Sequence, residues 1–129
     1  MSLSRRARAW CFRVLAACFA IAAAFHAAAL VAPSIAEPSP PWRHALFVVT
    51  NAVVAVGMVR RPRGFVVAFA LLSAQQLLSH GMYAFALFHA ERRVDWASVV
   101  VLLAMPAILA FLAVDGRAPQ STANAPNVQ

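Results

Sequence analysis

The stretch "GFVVAFALLSAQQLLSHGMYAFALFHA", residues 64–90, holds 27 residues and no Asp, Glu, Lys or Arg. About 20 apolar residues in a helix cross the hydrocarbon of a bilayer, so this run is long enough to span. In its middle stand Ser73, Gln75, Gln76, Ser79, His80 and Tyr83. The length predicts a membrane helix, and the polar centre asks what those side chains meet there.

Three further runs lack charge: Val14–Ala36, His44–Val59 and Trp96–Val114. The second is short, and Trp42 and Arg60 extend it into the interface, Arg60 by snorkelling its guanidinium to water. Helices are expected because lipid satisfies no backbone group and the runs lack the alternation of a barrel. The expected spans are 10–32, 43–60, 64–89 and 94–114, within a transmembrane domain 1–114. Residues 115–129, poor in large apolar side chains, are expected as a disordered cytoplasmic tail. "PSIAEPSPPWR" (33–43), "RRPR" (60–63) and "ERR" (91–93) connect the runs. Short connections make neighbours antiparallel. The fold class expected is therefore all-α: an integral membrane up-down-up-down four-helix bundle with short loops.

The whole composition agrees. Of 129 residues 63% are hydrophobic and 12% charged, against roughly 25% charged in a soluble domain. The net charge of +7 comes from eleven arginines against four acidic residues, with no lysine. Most arginines flank apolar runs instead of lining one face, which speaks for membrane orientation and against nucleic acid. With the N-terminus inside, Arg5, Arg6, Arg8, Arg13, Arg60, Arg61, Arg63 and Arg117 are inside and Arg43, Arg92 and Arg93 outside. Both termini are thus expected in the cytoplasm, and the alanine- and arginine-rich composition suggests a bacterial inner membrane. Trp10 would mark the inner interface, and Trp42 and Trp96 the outer one. A competing reading takes the first run as a signal peptide, cleaved after "SIA" before Glu37. The first run is longer than the usual apolar core of such a peptide, which favours a retained span.

Gln76 and His80 are four residues apart, so they share a helix face; Tyr83 follows and Ser73 precedes. Gln75 and Ser79 make a second row. A face of this kind turned to lipid would leave donors unpaired, so it is expected to face protein or a wet cavity. Gly81 would let a neighbouring helix approach. By helical rise His80 lies about 13 Å inside His89, Asn51 at a similar depth from Trp42, and His26 about 10 Å from Pro33. His44, His89, Glu91 and Asp95 are expected above them at the outer surface. The ligand- or partner-binding candidates are Gln76, His80, Tyr83, Asn51 and His26. For the amides Gln75, Gln76 and Asn51, hydrogen-bonded glue between helices is the favoured reading and requires no other purpose.

The histidines allow sharper chemistry. His26 and His80 are the candidate metal ligands, for a b-type haem or a transition metal. Proton or small-solute transport by an oligomer is another reading. Cys11 and Cys18, seven residues apart on one helix, are too distant to bridge. Pro106 is expected to kink the fourth helix and Asp95 to cap its start. The fourth helix, polar only at Ser98, is expected to be the most lipid-exposed. No nucleophile–base set, phosphate loop or metalloprotease motif is present in the sequence, so a non-enzymatic role is expected. The preferred reading is an accessory membrane protein that binds a partner or ligand through its outer polar cluster, in a larger complex or homo-oligomer.

Overall fold

The computed structural model of the chain describes residues 4–35 and 40–116. Among these the structure is helical, with no strand: α1 (Arg5–Val31), α2 (Pro41–Arg60), α3 (Phe65–Glu91) and α4 (Trp96–Gly116), with a 3-10 turn at Pro33–Ile35. Four helices are long and apolar enough to cross a membrane. The expected tail from residue 117 onward lies outside the described residues, as do Ala36 and Glu37 of the cleavage motif.

The helix ends follow local chemistry. The Ser4 side chain accepts the Ala7 N–H at 3.2 Å, satisfying one of the donors that a helix start leaves open. Helix α1 then runs through alanine-rich sequence and stops before Pro33, which disfavours helical backbone at Ala32. Helix α2 opens on Pro41, whose missing N–H costs nothing at a first turn. It closes at Arg61, in the left-handed region (φ 46°), whose N–H bonds to the Gly57 carbonyl at 2.7 Å. Helix α3 closes in the same way: Arg92 has φ 55°, and its N–H reaches the Phe88 carbonyl at 3.0 Å.

The chain forms two compact units, one ending at Phe65 and the other beginning at Val66. In the first, α1 and α2 pack antiparallel. At one end the Arg61 guanidinium lies 4.2 Å from the centre of the Phe12 ring, and at the other His26 meets His44. Phe12, Ala16 and Ala29 of α1 and Val54, Gly57 and Met58 of α2 are buried. Gly57 admits close approach: a Cβ there would stand 2.1 Å from Cε2 of Phe65.

In the second unit Phe69 and Ser73 of α3 and Ser98, Met105 and Leu112 of α4 are buried. Ser73 satisfies its hydroxyl within its own helix, donating to the Phe69 carbonyl at 2.8 Å. The helices touch at Gly81, whose Cβ position is 3.9 Å from Leu102. Outside, side chains such as Val53, Val67, Leu71, Leu78, Val100 and Leu103 are exposed. Apolar exposure on this scale suits hydrocarbon rather than water.

Candidate functional site

In the first unit the polar site is a histidine pair. His26 sits five residues before the end of α1, and His44 is the fourth residue of α2. Their Nδ1 atoms are 3.1 Å apart, so in the neutral pair one ring donates and the other accepts. The His26 ring is stacked on Phe47, with centroids 4.9 Å apart and planes 23° apart, and Phe25 meets it edge-on. Asn51 is used locally: its Nδ2 donates to the Phe47 carbonyl at 2.8 Å, one turn earlier on α2.

Sequence reasoning placed His44 above His26 at the surface. The structure brings them into contact because α1 continues to Val31 and α2 starts at Pro41, so both rings lie within the last turns of one helix end. The signal was that both lie within seven residues of the Pro-rich connection, on either side of it.

In the second unit a chain of three polar side chains links the start of α4 to α3. Asp95 caps α4: Oδ1 accepts the Ala97 N–H and Oδ2 the Ser98 N–H, each at 3.2 Å. The Ser98 hydroxyl donates to the same Oδ2. Its single proton is then committed, so Oγ accepts from His80 Nδ1, 2.9 Å away. Neutral His80 is thereby held in the tautomer with the proton on Nδ1 and Nε2 as the acceptor. Ser98 was the residue sequence reasoning undervalued. It is fully buried at the contact between α3 and α4.

The remaining α3 candidates divide by exposure. Ser73 is buried, Gln76 and His80 are half-buried, and Gln75, Ser79 and Tyr83 are exposed. Among the described residues neither glutamine side chain makes a hydrogen bond; Ser79 donates to the Gln76 backbone carbonyl at 3.3 Å. Tyr83 is 44% exposed. Near the end of α3, His89 packs on Phe85 with centroids 4.3 Å apart, and Arg93 pairs with Glu91 at 3.1 Å. Pro106 lies inside α4, and Cys11 and Cys18 are free thiols.

His26 belongs to the first unit and His80 to the second, and each imidazole engages a neighbour of its own unit through Nδ1. Among the described residues no group of three or more His, Cys, Asp and Glu side chains converges. Comparison with protein-family models, with curated proteins and with solved structures gives no match.

Proposed function

We propose that the chain is a small non-enzymatic membrane protein that crosses the bilayer four times and holds a partner through the polar face of α3. The observation that carries this reading is the exposed amide at mid-helix. Gln75 stands ten residues after Phe65 and sixteen before Glu91. The helix is about 40 Å long and the hydrocarbon about 30 Å thick, so Gln75 and Gln76 fall near the bilayer centre. An amide left to lipid there costs a few kcal/mol. A protein surface that returns its hydrogen bonds removes that cost, as polar residues do between membrane helices.

The fuller picture is an up-down-up-down four-helix bundle in a bacterial inner membrane, an accessory subunit of a larger complex or a homo-oligomer. The excess of arginine on the segments assigned to the inside, eight against three with the terminal segments counted, supports cytoplasmic termini. The test is native purification from membranes. The protein should require detergent and run as a complex larger than one chain. Leucine at both Gln75 and Gln76 should release the partner while the monomer stays folded. A monomer of unchanged size in both proteins would remove the reading. The redox alternative, a b-type haem or metal on His26 and His80, would take its place if the purified protein showed a Soret band that His80→Ala abolishes.

A further inference from the structure

The geometry points to a divalent transition-metal site at the connection end of the first hairpin, with Nδ1 of His26 and Nδ1 of His44 as protein ligands. These nitrogens face each other at 3.1 Å. Two zinc–nitrogen bonds of about 2.0–2.1 Å at a tetrahedral angle place their nitrogens about 3.3–3.4 Å apart. The pair needs to widen by a few tenths of an ångström to take the ion in place of the shared proton. A linear two-coordinate ion would demand about 4 Å by the same bond lengths and fits less well.

Three features prepare the site. First, the His26 ring is held by Phe47 on its face and Phe25 at its edge, so the direction of its Nδ1 is already fixed. Second, both imidazoles are only half-buried, and His44 stands four residues into α2, two after the exposed Trp42, so the pair is not sealed inside the hairpin. Third, the proton balance closes. In the hydrogen-bonded pair one ring carries its proton on Nδ1 and the other on Nε2. Coordination through both Nδ1 atoms needs only that the first ring move its proton to Nε2, and none is lost.

Among the described residues no further His, Cys, Asp or Glu joins the two imidazoles, and other donor groups, water among them, complete the coordination. Arg43, adjacent to His44 in the sequence, adds a positive charge that weakens the site. The expected affinity is therefore micromolar rather than that of a structural zinc. The inference stands apart from the proposed partner face, which lies on α3.

The test uses the full-length protein in detergent, stripped with a chelator and titrated with Zn²⁺ against a coloured competitor. The expected result is one ion per chain with micromolar affinity, weakened about tenfold or more by His44→Ala and by His26→Ala. His80→Ala and His89→Ala should bind as the parent protein does. Co²⁺ in the same site should give the visible bands of a tetrahedral ion, lost in His44→Ala. Should His26→Ala fail to fold, His44→Ala decides alone, since it removes a half-exposed side chain near a helix start. Parent-like zinc binding in His44→Ala, or no binding at sub-millimolar zinc, overturns the site.

Discussion

His80 Nδ1 lies 2.9 Å from Ser98 Oγ, although His80 is eleven residues before the end of α3 and Ser98 is the third residue of α4. Those eleven residues rise about 16 Å. The non-helical residues Arg92–Asp95 must therefore run back beside α3 before α4 begins. Depth counted from the end of α3 puts His80 well inside the helix, yet counted along α4 its partner is within the first turn. The last turns of α3, with Phe85, Phe88 and His89, extend beyond the start of α4.

Ser98→Ala should destabilise the second unit. It removes the hydroxyl that accepts from His80 and donates to Asp95, leaving a half-buried imidazole N–H without that partner. The loss should be about 1–3 kcal/mol. Ser79→Ala, at an exposed hydroxyl with a 3.3 Å bond to its own helix, should change stability by no more than about 0.5 kcal/mol. Denaturation in mixed micelles separates the two; equal effects would mean that the Asp95–Ser98–His80 chain contributes nothing.

The Gly57–Phe65 contact supplies a second prediction. An alanine methyl at 57 would meet the Phe65 ring at 2.1 Å unless the ring shifts. Gly57→Ala should cost about 1–3 kcal/mol by overpacking. In combination with Phe65→Ala most of that extra cost should vanish, a coupling of about 0.5–3 kcal/mol in a double-mutant cycle. Simple addition of the two single losses would contradict the contact.

The two left-handed arginines should respond differently to glycine. Backbone at φ 46° or 55° costs a residue with a Cβ about 1 kcal/mol or more, part of which glycine returns through its freer unfolded chain. Arg92 is 5.7 Å from the Phe88 ring centre, and Arg92→Gly should be stabilising by up to about 1 kcal/mol. Arg61 lies closer to Phe12, at 4.2 Å, and its cation–π contact is worth about 0.5–2 kcal/mol. Arg61→Gly should thus gain little or lose. Thermal unfolding in detergent that ranks Arg61→Gly above Arg92→Gly would refute this ordering.

The four helices were legible because each is an uncharged run bounded by arginine or proline, and the lipid requirement for internal hydrogen bonds leaves one secondary structure. The contacts between helices were less legible. Nothing in "WASVVVLLAMP" (96–106) marks Ser98 as buried, since a single serine in an apolar run has no periodic companion. Its position depends on the path of residues 92–95, which composition does not encode. The α3 stripe shows a related limit. Spacing put Ser73, Gln76, His80 and Tyr83 on one face, but burial falls from Ser73 to Tyr83, since the last turns of α3 extend beyond the start of α4.

The most direct measurement places a photo-reactive side chain at position 75 in the full-length protein and irradiates native membranes. An amide exposed at mid-bilayer needs a protein neighbour, so the account predicts a cross-link to protein, a partner or a second copy. The same probe at the exposed Leu71 should cross-link mostly to lipid. Cross-links from position 75 to acyl chains alone, with the complex unchanged in Gln75→Leu, would contradict the claim that α3 presents its amides to a partner.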